Sequence, residues 1–148
     1  DRRILALVQR ERALPVVEAA SRTGLSTTTC WRRIQALEQS GVIRGRVALL
    51  DRAALGLDVT IFAHVKLSTQ GRDAIAAFAE AIRERPEVLD CYTTMGEWDF
   101  MLRVVTRDIK AYEAFYLDHL SKLPNVQSIN SSVTVTVIKE TTILPIAL

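Results

Sequence analysis

The 148 residues are 49% hydrophobic and 24% charged, with a formal net charge of +2, enough apolar matter for the core of one domain or two small ones. Two cysteines 61 positions apart without a CxxC pair, and only two histidines, argue against a zinc module or a disulfide framework and fit a reducing, cytoplasmic setting. No apolar run is long enough to span a bilayer and no secretory signal is present, while the opening Asp1-Arg2-Arg3, without an initiator methionine, points to a start upstream of residue 1.

The charge is unevenly spread. Residues 1 to 52 hold ten Arg and five acidic side chains, a net of +5, whereas the remainder holds nine basic and twelve acidic groups, a net of −3, and every Lys. An arginine-only first third is the footprint of a nucleic-acid-binding segment joined to something with another task. A merely uneven surface is the plain alternative.

Ile4, Leu5 and Val8 after Asp1, a cap residue, predict a helix to about Arg12. A short second helix follows, with Pro15 in its first turn, Val16, Val17, Ala19 and Ala20 as apolar contacts, and Thr23-Gly24 as its end. After a sharp turn at Leu25, Ser26 caps a third helix that runs to Ser40 and closes at Gly41. On a helical wheel Cys30, Ile34 and Leu37 form its inward stripe, which makes Cys30 a core residue rather than a reactive thiol. Thr28, Arg32, Gln35 and Gln39 point outward, flanked by Thr29, Trp31 and Ala36, and that face carries no carboxylate because Glu38 lies off to its side. Hydroxyls, an amide, a guanidinium and an indole are groups suited to phosphates and base edges.

A short helix, a glycine-containing turn and a second helix with an acid-free outer face form a helix-turn-helix, whose second helix enters the major groove of double-stranded DNA. Ser26, Thr27, Thr28, Thr29, Trp31, Arg32, Arg33 and Gln35 are the candidate contacts. Residues 42 to 50 read as extended segments around Gly45, a wing that carries Arg44 and Arg46 to backbone phosphates. The competing reading is a three-helix core with a solvated face, for which Glu and Lys pairs would be expected.

Residues 51 to 57 read as a short linker ending near Gly56, dividing the chain into domains of residues 1–50 and 58–148. Beyond it Val59, Ile61, Ala63, Val65 and Leu67 alternate as in a strand, and Ile75, Phe78, Ala79 and Ile82 recur at helical spacing before Pro86. Residues 88 to 94 are extended, a loop spans Met95 to Asp99, and Phe100 to Thr106 is a further strand. Asp108 caps a helix carrying Ile109, Tyr112, Phe115, Tyr116 and Leu120, and residues 126 to 138 form a long last strand. The order βαββαβ predicts two helices on one face of a four-stranded antiparallel sheet. Both faces of these strands carry apolar groups, such as Phe62 opposite Ile61, so the uncovered face calls for a partner and homodimerisation is the economical expectation.

These residues resemble the Lrp/AsnC, or feast/famine, transcriptional regulators of bacteria and archaea over essentially the whole chain. GLSTTTCWRRIQALEQSGVIRG is similar to the family's helix-turn-helix signature at Gly24-Leu25-Ser26, Arg33-Ile34, Leu37-Glu38 and Gly41-Val42-Ile43. Met95-Gly96-Glu97-Trp98-Asp99-Phe100 resembles its glycine-x-x-aspartate loop, and Leu123-Pro124-x-Val126 its helix-to-strand junction. The resemblance implies an α+β chain, an N-terminal winged helix-turn-helix domain plus a C-terminal ferredoxin-like βαββαβ domain that binds small effectors, usually amino acids. It further implies dimers that assemble into rings such as octamers, with effector held between dimers near the loop. Carried over by position, Gly96 and Asp99 match best, with Glu97, Trp98, Ile109, Ser132, Val133 and Thr134 as walls. An α-ammonium suits a carboxylate such as Asp99 and an α-carboxylate suits N–H groups exposed by a glycine loop; alternatively Asp99 is a strand-start residue bonding its own loop. Two acids and a bulky Trp98 fit a cationic or aromatic effector, or an occluded site.

The expected function is therefore a sequence-specific regulator whose DNA binding or assembly is tuned by an amino acid, with no cofactor and no metal. A ligand-free architectural protein that wraps DNA is the alternative. An enzyme is poorly supported, because His64 and His119 lack partners at ligand or triad spacing and no phosphate-cradling glycine loop exists.

Overall fold

A computed structural model describes residues 1–147, in two units: residues 1–50 together with Ile138 onward, and residues 51–137. In the first unit α1 (Arg2–Val8), α2 (Val16–Thr23) and α3 (Thr27–Gln39) surround Ile4, Ala19, Ala20, Cys30, Ile34 and Leu37. Cys30 is fully buried among these apolar groups. The first helix is shorter than its periodicity suggests: it stops at Val8, and turns at residues 9–10 and 12–13 follow.

Two devices shape the corner between α2 and α3. Gly24 adopts φ +71°, the left-handed cap that glycine enters without a Cβ penalty, and Leu25 N–H donates to Ala20 O at 2.9 Å. Ser26 then caps α3 as expected, its Oγ accepting the Thr29 N–H at 3.2 Å. At the far end Ile43 N–H donates to Leu37 O at 3.0 Å, closing α3 after Ser40. Residues 44–50, expected as an extended wing, are not hydrogen-bonded into a strand.

In the second unit β1 (Val59–Leu67), β2 (Val88–Thr93), β3 (Phe100–Thr106) and β4 (Val126–Val133) form an antiparallel sheet in the order β2-β3-β1-β4. The helices α4 (Arg72–Arg83) and α5 (Ile109–Asp118) cover one face, burying Ile61, Ala63, Val65 and Leu67 of β1 and Phe100, Leu102 and Val104 of β3. Phe78 of α4 stacks on Phe100 with ring centroids 4.2 Å apart. The stripe that α4 buries is Ala74, Phe78 and Ile82, whereas Ile75 is exposed; the smaller Ala74 lies at i−4 to Phe78 and so shares its face. The last strand is also shorter than expected, ending at Val133 instead of residue 138, although Thr134 N–H still donates to Thr60 O at 3.0 Å.

On the uncovered face the register brings Phe62 opposite Arg103 and His64 opposite Met101. Arg103 pairs there with Asp90. The linker turn is stapled by Asp51, whose Oδ1 accepts the N–H groups of Ala53 and Ala54, and Arg52 donates to Thr60 Oγ1. No helix among the described residues is long and apolar enough to cross a membrane.

Candidate functional site

The outer face of α3 is built by the cap and the stripe just described. With Cys30, Ile34 and Leu37 committed to the core, Thr28, Trp31 and Arg32 are directed outward, and Trp31 is 53% exposed despite its large apolar area. Arg32 and Arg44 have no hydrogen-bonded or ionic partner among the described residues, which leaves two guanidinium groups available to an anion. Thr29 does double duty, since its N–H is capped by Ser26 and its Oγ1 accepts from Ser26 Oγ at 2.9 Å. Thr27 opens the helix beside them.

The remaining candidates of this unit are engaged with neighbours. Gln35 Nε2 donates to Glu38 Oε2 at 3.2 Å, one helical turn along, and Arg46 approaches Glu38 Oε1 at 3.7 Å. A carboxylate read as off to the side therefore holds one outward amide and one wing arginine. Arg33 turns toward Asp1, 3.5 Å away, and with Arg2, Arg3 and Thr23 lines a cleft of about 410 Å³ beside the corner. These are exposed pairs, which contribute little to stability and are readily exchanged for phosphate.

In the second unit the loop between β2 and β3 is fixed at both ends. Thr94 N–H donates to Asp99 O at 2.9 Å and Thr94 Oγ1 to Trp98 O at 2.6 Å. Gly96, exposed at the tip, has φ +119°, a conformation open to glycine but strained for other residues. Glu97 is exposed, while Trp98 folds back so that its ring lies 6.1 Å from that of His64 on the uncovered face. The sequence offers His64 only as a histidine without catalytic partners; its position between the inward-facing Ala63 and Val65 is the signal that puts it on the uncovered face. The Asp99 carboxylate accepts the Leu67 N–H through Oδ2 at 2.7 Å, and the Asp99 N–H donates to Val65 O at 2.9 Å.

The other effector candidates lie elsewhere on the same sheet. Ser132 is opposite Phe62 and Val133 opposite Ile61, with Thr134 bonded to Thr60, whereas the glycine loop enters β3 opposite Val65. Four residues of β1 separate the two ends, on the order of 13 Å along the strand. Ile109, half exposed at the start of α5 just after β3 ends, follows the end of β3 that lies opposite Val59, the same end of the sheet as Val133 and Thr134. The candidates thus fall into two groups, a polar loop at one end of the sheet and a strand end with an apolar shoulder at the other.

Two groups nearby have shifted acidities. Burial pushes the Cys91 thiol on β2 up, against the charge of Arg83, and burial likewise raises the Tyr112 phenol, against the hydrogen bond it shares with Ser131. Neither is poised for catalysis at neutral pH. Among the described residues no cluster of three or more His, Cys, Asp or Glu side chains could hold a metal ion.

Known families match both parts of the chain. Residues 1–44 match the family model described as winged helix-turn-helix DNA-binding, and residues 60–144 match that described as Lrp/AsnC ligand binding domain. The chain is 37% identical over 146 residues to the DNA-binding transcriptional activator DecR of Escherichia coli K12, spanning 99% of this chain and 96% of that protein. Its fold superposes with TM-score 0.92 and 42% identity on the crystal structure of an AsnC family transcriptional regulator from Agrobacterium tumefaciens, covering 97% of this chain and 94% of that one. A transcriptional regulator from Neisseria meningitidis, solved in complex with L-Met, superposes with TM-score 0.92 at 36% identity, covering 97% and 93% of the two chains.

Proposed function

The chain belongs to the Lrp/AsnC family of DNA-binding transcriptional regulators, and on that premise we propose that a free α-amino acid, bound between copies of the sensor unit, sets how the reading helix engages DNA. The observation that carries this reading is the separation of the two groups of effector candidates. A ligand of amino-acid size cannot reach from the glycine loop to the end of β4 within one chain, but a second copy placing its strand end against the loop completes the site. Asp99 then receives the ammonium with the oxygen not committed to Leu67, and N–H groups around Gly96 receive the carboxylate. Ile109 and Val133 supply an apolar wall. The L-Met bound to the Neisseria meningitidis protein supports an amino acid as the ligand class here.

Binding at an interface favours the assembly that contains it, by the difference in affinity between the two states. Assembly proceeds from a homodimer, built on the uncovered sheet face around Phe62 and Met101, toward a larger ring such as an octamer. Two copies of α3 then read two half-sites of double-stranded DNA, with Trp31 and Arg32 at base edges and Arg33, Arg44 and Arg46 on phosphates. This work is done where the chromosome is, in the cytoplasm.

A thermal-shift screen of the twenty amino acids tests the ligand class. A ligand at a hundred times its Kd adds about 2.7 kcal/mol to the state that binds it. At least one amino acid should raise the melting temperature and change the sedimentation profile together. Twenty flat responses would dismiss the effector reading.

A further inference from the structure

The DNA-reading unit is closed by residues from the far end of the chain. From Ile138 onward the backbone belongs to the unit of α1, α2 and α3. Gln9, which caps the end of α1, holds it there by two hydrogen bonds in opposite senses: Nε2 donates to Leu144 O at 3.0 Å, and Leu144 N–H donates to Oε1 at 2.8 Å. Arg2 Nη1 adds a bond to Ala147 O at 3.1 Å. Alongside lies a cleft of about 630 Å³ lined in part by Ala6, Leu7, Arg10, Ile143 and Ile146.

An amide that satisfies both main-chain groups of one residue copies a rung of an antiparallel ladder. It therefore pins Leu144 in direction as well as in distance. The covalent consequence is that the chain passes between the two units twice, at residues 50–51 and again at 137–138. The second passage starts just beyond Val133 and Thr134, at the strand end assigned above to the effector site.

We propose that Gln9 is a specificity-determining residue for half-site spacing: by clamping Leu144 it makes the C-terminal segment a second tether on the reading unit. The proposal rests on the reading that two copies engage two half-sites. A module on one linker samples a wide range of distances and tolerates many spacings. A second tether narrows that range, which raises the effective concentration at the matching span and lowers it elsewhere. Gln9 acts through the tail and is a positioning residue with no required contact to DNA.

The test uses the full chain, Gln9→Ala, and a chain ending at Lys139, each titrated against three duplexes selected on the wild type. One carries a single half-site, one carries two at the selected spacing, and one has five base pairs inserted between them, about half a helical turn. The wild type should prefer the selected spacing by about 100-fold. Both altered chains should bind the single half-site within about twofold of wild type yet lose at least about tenfold of the spacing preference. An unchanged spacing preference overturns the proposal, as does a comparable loss on the single half-site, which would make the clamp a folding element of the reader. A wild type that binds random duplexes as tightly as the selected ones sinks the regulator reading and this inference with it.

Discussion

Replacing Asp99 by asparagine and by alanine separates the two tasks assigned to its carboxylate. Oδ2 accepts the Leu67 N–H at 2.7 Å in a part-buried setting, at the point where the pairing of β1 with β4 shifts register between Lys66 and Leu67. A hydrogen bond to a charged acceptor contributes about 1.5–3 kcal/mol and one to a neutral acceptor about 0.5–1.5 kcal/mol. Asparagine keeps an oxygen for Leu67, so Asp99→Asn should cost about 1 kcal/mol. Alanine leaves the N–H without its partner and should cost about 2 kcal/mol. At this chain length each kcal/mol lowers the melting temperature by about 2–4 °C, so the three proteins should melt in the order wild type, Asn, Ala, in steps of about 3 °C. Repeating the melts with a stabilising amino acid reads the second task. Neither variant offers an anion to the ammonium, so neither should be stabilised. An asparagine variant stabilised as fully as wild type would show that the carboxylate serves only Leu67, and an alanine variant melting with wild type would refute the worked hydrogen bond.

Arg32→Ala should cost about 1–3 kcal/mol of operator binding and relax preference at one base position, measured by titrating single-base variants of the duplex. Arg44→Ala should instead weaken all sequences alike and reduce the slope of log K against log salt by about 0.9. Ser26→Ala removes the acceptor for the Thr29 N–H and should destabilise the reading unit by about 1 kcal/mol, visible as faster amide exchange in the first turn of α3, while Ser26→Gly should cost only a few tenths. Burial raises the Tyr112 phenol above its ordinary value of 10.0, so the unfolded chain ionises first. Stability from this group is full below pH 10 and is lost as pH rises through the higher folded value; Tyr112→Phe should flatten that alkaline decline in melts run from pH 8 to 11.

Local chemistry made much of the fold legible. Ser26 and Gly24 mark the corner because a cap needs a short side-chain oxygen and a left-handed residue needs glycine, and the spacing of Cys30, Ile34 and Leu37 fixes which side of α3 faces outward. The alternation along β1 likewise identifies its buried face. The misreadings are tertiary. Ile75 looked like core because it is large, yet its neighbour Ala74 is the residue in line with Phe78 and Ile82. The β-branched residues continue to residue 138 and predict a strand that long, but pairing with β1 ends where β1 itself begins near Val59. Nothing local could show that Leu144 meets Gln9, that Glu38 gathers Gln35 and Arg46, or that Asp99 is bonded to Leu67 32 residues away. Motif position groups the effector candidates, and only the strand register shows that they occupy opposite ends of the sheet.

Whether the chain reads DNA under amino-acid control is decided by the affinity of the full chain for a duplex selected from a random pool against a scrambled duplex of the same composition, at fixed salt, with and without each amino acid. The selected duplex should bind about 10³-fold or more tightly, and that binding should change with at least one amino acid. Equal affinity for both duplexes, unmoved by any amino acid, would contradict this and identify a protein that packages DNA without reading it.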